Sequence, residues 1–232
     1  MSATQVTQKE KTNITEKLND FIQKNRMKLI AGMIALVVIL AGIIIFTTIS
    51  EKLQKNALSK VDSLELRYEE LKMYISGEDP EAASKEADIN ALLAELESFT
   101  AGNSGFAAAK ANTITAAIYS EQKKWAEAEK AYLASANGAP KSYLAPVSVY
   151  NAAVAAEEQG NIQQAIDHYA RAMNYGESFP AAARAQFSIG RLEESRNNRT
   201  AALEAYRNLV GKWPSDPVWS NLAQSRIVVL SD

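Results

Sequence analysis

The sequence predicts an all-α protein in which a single transmembrane helix is followed by an α-solenoid built from repeated pairs of helices. Three observations predict this fold class. The stretch from Leu29 to Ser50 is uncharged, and small and aromatic residues recur downstream with one long period. The composition is also poor in chain breakers and aromatic residues, with 10 Gly, 6 Pro and 8% aromatic residues. The 232 residues therefore divide into a membrane anchor and one helical domain.

The transmembrane helix is predicted over residues 29–50, where 22 consecutive residues are uncharged and mostly Leu, Ile, Val and Ala. A bilayer core of about 30 Å needs about 20 residues of helix, so this stretch is long enough to cross it. Two alternatives are a buried core helix, which would show a polar face, and a cleaved signal peptide. The apolar part of a signal peptide has about 7–15 residues and precedes small residues. We interpret residues 29–50 as an uncleaved signal anchor.

The charges beside this helix predict its orientation. Three basic residues lie just before the uncharged stretch, whereas one acid and two basic residues follow it. These residues are Lys24, Arg26 and Lys28 on the first side, and Glu51, Lys52 and Lys55 on the second. Positive charge favours the cytoplasmic side of a membrane. We therefore expect a short cytoplasmic tail over residues 1–28, a single pass through the inner membrane, and a periplasmic domain.

A helical pair without a clear repeat pattern is predicted over residues 51–105. Its first helix carries an apolar seam with alternating spacings of four and three. The seam consists of Ala57, Val61, Leu64, Tyr68, Leu71 and Ile75. It indicates either a short coiled coil or, as we interpret it, the first helix of the domain. In that case it packs on Leu92, Leu93, Leu96 and Phe99 of the next helix, after a break at residues 77–80.

Three columns of residues share a period of 37 positions in the second half of the chain. They are Tyr132, Tyr169 and Tyr206; Ala128, Ala165 and Ala202; and Ala116, Ala153 and Gly190. Such a period is typical of repeat architectures. The pattern resembles the tetratricopeptide repeat, in which small residues let two antiparallel helices touch and an aromatic residue fills the gap to the next unit. We expect three repeats in residues 106–215, at about 106–140, 143–177 and 180–215, and a C-terminal capping helix over 216–232.

The residue types that chemistry requires are scarce. The chain has no cysteine, and the only histidine, His168, lies beside the core residue Tyr169, so it is expected to be a surface or boundary residue. The adjacent acids at 157–158 and 193–194 point about 100° apart on a helix and are interpreted as solvated faces. Residues 51–232 carry 24 acids against 19 basic residues. We expect a protein that is not an enzyme, needs no cofactor or metal, and binds neither nucleic acid nor a small-molecule substrate.

The resemblance to tetratricopeptide repeats implies that the first helix of each unit lines a groove for protein ligands. Ten residues are candidates: Lys110, Thr113 and Ala117; Tyr150, Val154 and Glu157; and Arg184, Phe187, Arg191 and Glu194. We expect Tyr150 and Phe187 to supply apolar pockets, with Arg184 and Arg191 as a charged rim. The alternative is that these residues form ordinary contacts between helices.

The whole layout resembles the YfgM-like ancillary subunits of the SecYEG translocon. The local match is Phe21-Ile22-x-x-Asn25 followed by Leu29-Ile30-Ala31-Gly32. The resemblance implies a translocon-associated protein that works with a periplasmic chaperone or a prolyl isomerase on emerging chains. A second hypothesis is an envelope-assembly scaffold that coordinates outer-membrane or cell-wall machinery, because residues 213–216 (Trp-Pro-Ser-Asp) resemble units of such proteins. A third hypothesis is an enzyme or its regulatory subunit, but the chain lacks the residue types that catalysis requires.

Overall fold

The computed structural model describes residues 3–77, 79–176 and 179–231, with side chains described from Glu16 onward. Within these residues the chain forms nine helices and no strands, which confirms the predicted all-α class. The helices are α1 (Ala3–Ile75), α2 (Ala82–Gly102), α3 (Gly105–Glu121), α4 (Trp125–Gly138), α5 (Leu144–Glu158), α6 (Ile162–Met173), α7 (Ala182–Ser195), α8 (Arg199–Lys212) and α9 (Trp219–Ser231).

The chain separates into two compact units, Met1–Lys55 and Asn56–Asp232. The first unit contains the uncharged stretch, whose large apolar side chains are exposed to solvent along the helix. In the described part of the chain, one helix, Glu16–Ile75, is long and apolar enough to cross a membrane. A helix that is apolar on all sides and uncovered by protein has the surface that a lipid environment requires. Residues 29–50 are therefore a candidate membrane span.

The second unit, called the helical domain below, begins with the last 20 residues of α1. Seam residues Val61 and Leu64 are fully buried in one cluster with Leu92 and Leu96 of α2. Ile118 of α3 completes the same cluster. The seam residues thus pack inside the domain, as expected for its first helix.

Helices α3 to α8 form three antiparallel pairs, each closed by a tight turn. One residue of each turn has a left-handed backbone: Lys123 (φ 57°), Gly160 (φ 78°) and Asn197 (φ 60°). These residues are 37 positions apart, so the turn geometry follows the same period as the packing columns. Glycine and asparagine adopt this conformation readily, which explains the residue types at two of the three turns.

The residues that recur every 37 positions lie in the core of the helical domain. Each alanine of its column is fully buried, and each tyrosine is at most 8% exposed; the residues are Ala128, Ala165 and Ala202 with Tyr132, Tyr169 and Tyr206. The third column, Ala116, Ala153 and Gly190, is buried as well. Small residues in one helix let the partner helix bring its aromatic ring close, so sequence period and packing period coincide.

The last helix, α9, packs against α7 and α8. Ala223 is fully buried in a cluster with Tyr206 and Leu209 of α8, and Ile227 and Leu230 lie against the same cluster. The helix thus covers the C-terminal end of the third pair.

Candidate protein-binding surface

Three helices, α5, α7 and α9, each present four side chains at the spacing i, i+3, i+7 and i+10. This spacing places the four on one side of a helix. The residues are Val147, Tyr150, Val154 and Glu157 on α5; Arg184, Phe187, Arg191 and Glu194 on α7; and Trp219, Leu222, Arg226 and Val229 on α9. We call this surface the α5–α7–α9 face.

A carboxylate on α5 links the second helical pair to the third. Glu157 accepts a hydrogen bond from the Tyr169 hydroxyl of its own pair at 3.2 Å. The Nη2 atom of Arg191 on α7 donates to both oxygens of Glu157, at 2.6 and 2.7 Å. Two predicted groove residues therefore pair with each other, and the bond holds neighbouring odd-numbered helices together.

The same arrangement recurs 37 residues later. Glu194 of α7 accepts a hydrogen bond from the Tyr206 hydroxyl at 3.1 Å. Arg226 of α9 donates to the same carboxylate through Nε at 3.1 Å and through Nη2. The Glu–Tyr–Arg set is thus a repeated joint between one helical pair and the next helix.

These contacts overturn the interpretation of the adjacent acids as solvated faces. Besides Glu157 and Glu194, Glu193 is only 9% exposed. Glu193 accepts a hydrogen bond from Asn198 at 2.9 Å, across the turn that follows α7. Three of the four acids therefore bind partners within the domain. The correction has a physical cause: their partners lie on other elements, which helical spacing alone does not reveal.

Arg184 differs from the other two arginines of the face because it pairs with no carboxylate in the described part of the chain. Its guanidinium carbon lies 5.6 Å from the ring centre of Tyr150 and 5.8 Å from that of Trp219. Such cation–π contacts hold the side chain in place without neutralising it. The arginine itself is exposed.

The two expected aromatic pockets have different environments. Tyr150 is 8% exposed and packs edge-on against Tyr169, with ring centres 5.2 Å apart, so it belongs to the core. Phe187 is half-buried, with its ring centre 5.4 Å from those of both Tyr206 and Trp219. It lines an open cavity of about 410 Å³. The other lining residues are Arg191, Glu194, Ser195, Tyr206 and Arg226.

The three candidates on α3 are occupied by contacts inside the domain. The Lys110 amine lies 2.8 Å from Asp62 Oδ1 and 2.6 Å from Glu65 Oε2, both on α1. The Thr113 hydroxyl lies 2.8 Å from that of Ser135 on α4. Ala117, the third, packs against the cluster around α1 and α2. The α5–α7–α9 face therefore holds the other seven candidates and not these three.

Most of the large apolar side chains that remain exposed from α3 onward lie on or beside this face. On the face are Val147 (40% exposed), Leu222 (45%) and Val229 (57%). Tyr143 and Val218 are also exposed and lie one turn before Val147 and Leu222. Among the described residues after α2, Val228 is the one large exposed apolar side chain elsewhere. Exposed apolar side chains that are concentrated on one side of a domain are typical of interaction sites.

Sequence reasoning missed Val147 and the four face residues of α9. Val147 lies 37 positions after Lys110 and 37 before Arg184, so the repeat period identifies it. The α9 residues have the same mutual spacing as those of α7. They were not among the candidates because α9 was interpreted as a cap alone.

A buried carboxylate on the even-numbered helices was also missed. Glu129 of α4 is 6% exposed and accepts hydrogen bonds from the side-chain amides of Gln159, at 2.7 Å, and Gln164. Its Oε1 atom lies 3.0 Å from Nε2 of His168 on α6. The single histidine thus lies at the boundary between α4 and α6 and helps to join two helical pairs.

The buried tyrosines predict a loss of stability at high pH. Burial, reinforced by the Glu194 charge, raises the pKa of Tyr206 to about 12, and the pKa of Tyr169 rises for the same reasons with Glu157 as the neighbouring charge. In the unfolded chain tyrosine ionises near its ordinary pKa of about 10. Stability is therefore fully present below pH 10 and decreases as the pH rises towards 12 and above.

Denaturant titrations between pH 8 and 12, combined with phenolate absorbance, measure this effect. Burial raises the pKa of five of the nine tyrosines, so we expect these five to ionise well above pH 10 and together with loss of the fold. Replacing both Tyr169 and Tyr206 by Phe should reduce the pH dependence. Ionisation of all tyrosines in one step near pH 10, with the helices intact, would contradict the prediction.

Comparison with known proteins relates this architecture to one class of repeat. No family model matches the chain. Over 151 residues, or 64% of its length, it is 38% identical to a TPR repeat-containing protein of Treponema pallidum (strain Nichols). The chain spans about 62% of the length of that relative. The paired helices, the buried small and aromatic columns and this similarity together show a tetratricopeptide-repeat-like α-solenoid that follows one long apolar helix.

Proposed function

We propose that the chain is a non-enzymatic, membrane-anchored interaction module whose α5–α7–α9 face binds other proteins. The observation that supports this most is that one face carries three exposed aliphatic side chains, Val147, Leu222 and Val229, together with Arg184, which pairs with no acid among the described residues. Interfaces obtain most of their affinity from a few such apolar and arginine side chains. Similarity to a tetratricopeptide-repeat protein favours the same role, because these repeats generally serve as protein-binding scaffolds.

The proposed anchor is residues 29–50, with the N-terminus in the cytoplasm and the helical domain in the periplasm. The apolar length of the helix and the basic residues before it support this arrangement. A signal sequence near an N-terminus has the same length and composition. Carbonate extraction and N-terminal sequencing of the mature protein distinguish the two: an anchor stays in the membrane with its original N-terminus, whereas a signal peptide is removed.

The role that we propose is assistance to protein export or periplasmic folding at the Sec translocon. Translocon subunits and a periplasmic chaperone or prolyl isomerase are the proposed partners. This role rests on the resemblance of the chain's layout to that of YfgM-like subunits. Anchoring would raise the effective concentration of the face near such partners, so each contact can be weak.

A pull-down of the full-length protein from mild detergent, with mass spectrometry, tests this function. We expect translocon subunits together with a chaperone or isomerase. Leu222→Glu places a charge in the apolar part of the face and should reduce capture of the partners that bind this face about tenfold or more. Leu66→Glu is the matched control, because Leu66 is an exposed leucine (67%) on α1 and should leave capture unchanged.

A second variant, in which an unrelated span replaces residues 29–50, assigns the contacts. Loss of the translocon alone would place that contact in the span. Recovery of outer-membrane assembly or cell-wall proteins without the translocon would contradict the export role and favour the envelope-scaffold hypothesis. Equal capture by the wild type and Leu222→Glu would contradict the role of the face.

A further inference from the structure

We infer that the α5–α7–α9 face recognises a protein segment that presents a carboxylate next to a large apolar side chain, and that Arg184 binds the carboxylate. The inference rests on the proposed function and specifies the chemistry of the ligand. Two adjoining features of the face carry it: an arginine without a counter-ion, and an aliphatic strip on α9.

The first feature is the charge state of the arginines on the face. Arg191 is neutralised by Glu157, and Arg226 by Glu194. Arg184 contacts the rings of Tyr150 and Trp219 and pairs with no acid in the part of the chain that the structure describes. Among the described residues, the surface therefore offers one positive charge that no acid balances.

The Arg184 side chain is also held in place by its neighbours. Its guanidinium contacts two rings that belong to different helices, α5 and α9. Tyr150 is buried, so the side chain is supported by the core and loses little freedom when a ligand binds. A guanidinium has five N–H donors in a planar fork that matches the two oxygens of a carboxylate.

The apolar part of the proposed site adjoins the arginine through Trp219. This residue contacts Arg184, and Leu222 lies one turn further along the same side of α9. The strip then passes Arg226, which binds Glu194, before it reaches Val229. Both aliphatic residues are about half exposed, and Val218 precedes them. A ligand side chain of the Leu, Ile or Phe type would cover this strip while a neighbouring acid reaches Arg184.

A protein segment fits this surface better than a membrane. Lipid binding through charge generally needs a cluster of basic residues, and two of the three arginines here are already paired. One free arginine suits one carboxylate on a short segment.

The test is selection of random 12-residue peptides on the full-length protein in nanodiscs of neutral lipid. We expect enrichment of peptides with Asp or Glu near Leu, Ile or Phe. The affinity of a selected peptide and of its Asn/Gln counterpart is then measured by fluorescence anisotropy. Arg184→Ala should weaken the acidic peptide about tenfold or more, as expected for loss of a charge-assisted hydrogen bond. It should leave the amide peptide unchanged.

Two further variants separate recognition from folding. Arg184→Lys keeps the charge without the planar fork and should bind the acidic peptide with intermediate affinity. Arg207→Ala, at an exposed arginine on α8, is the matched control and should bind like the wild type. Circular dichroism of each variant shows whether the fold is retained.

Each alternative result has a defined meaning. Peptides whose binding depends on Leu222 but not on Arg184 or on an acid would overturn this inference and leave the proposed function standing. If no selected peptide depends on Leu222, the proposed function of the face fails as well. Arg184-dependent binding to phosphatidylglycerol vesicles, but not to peptides, would overturn the inference in favour of a lipid headgroup.

Discussion

Tyr169→Ala should destabilise the helical domain by about 3–5 kcal/mol, the range measured when a buried aromatic residue is truncated to alanine. Tyr169 is 2% exposed and lies in a cluster built from α5, α6 and α7. Its ring packs edge-on against Tyr150, and its hydroxyl donates to Glu157. The truncation therefore opens a cavity between two helical pairs and removes one donor from the joint with Arg191. Urea denaturation followed by circular dichroism measures the loss.

Two control variants divide this effect into its parts. Tyr169→Phe removes only the hydroxyl and should cost about 1 kcal/mol, the usual net contribution of a hydrogen bond. Tyr143→Ala, at a tyrosine that is 68% exposed, should change stability by less than about 0.5 kcal/mol. If Tyr169→Ala cost no more than Tyr143→Ala, the packing role of the tyrosine column would be wrong.

Gly190→Ala should destabilise the domain by about 1–3 kcal/mol, the usual cost of adding a methylene group to a packed core. A Cβ atom at this position would lie 2.5 Å from Cε1 and 2.7 Å from Cδ1 of Tyr206. The ring belongs to the buried tyrosine column and cannot move away without opening the joint at Glu194. The steric cost thus exceeds the gain of about 1 kcal/mol that alanine has over glycine in a helix.

The matched control is Gly211→Ala, also in a helix. Apart from the adjoining residues and backbone of its own helix, no atom lies within 4 Å of a Cβ placed there, so the same substitution should stabilise the domain by up to about 1 kcal/mol. The opposite signs identify close packing as the cause. A double variant, Gly190→Ala with Tyr206→Ala, should be less damaging than the sum of the two single changes, because the clash is absent. Additive costs would show that the contact between these two residues is unimportant.

Much of the fold was predictable because it follows from periodic patterns. The uncharged run over residues 29–50 indicates a helix that can cross a membrane, whatever the rest of the chain does. The columns of residues spaced 37 positions apart identify buried alanines and tyrosines, because each helical pair packs with the same residue types at the same positions. The seam of α1 was recognisable for a similar reason, since spacings of three and four place its residues on one buried side.

The candidate surface was predictable only in part. The resemblance to tetratricopeptide repeats supplied seven candidates that lie together on α5 and α7. It also placed Tyr150 on this surface, although its ring is largely buried, and it gave Lys110 a role in a groove although two acids of α1 bind it. In both cases a neighbouring helix decided the environment of the side chain.

The sequence by itself determined the helix class, the candidate span, the repeat period and the identity of the small and aromatic columns. These properties depend on residues within one helix or on regular spacing along the chain. The tertiary structure alone decided that Glu157 and Glu194 join helical pairs, that Glu129 is buried against His168, and that Arg184 pairs with no acid among the described residues. The physical reason is that hydrogen bonds and ion pairs depend on distances of about 3 Å between atoms. In this domain the two partners are often more than 30 positions apart in the chain.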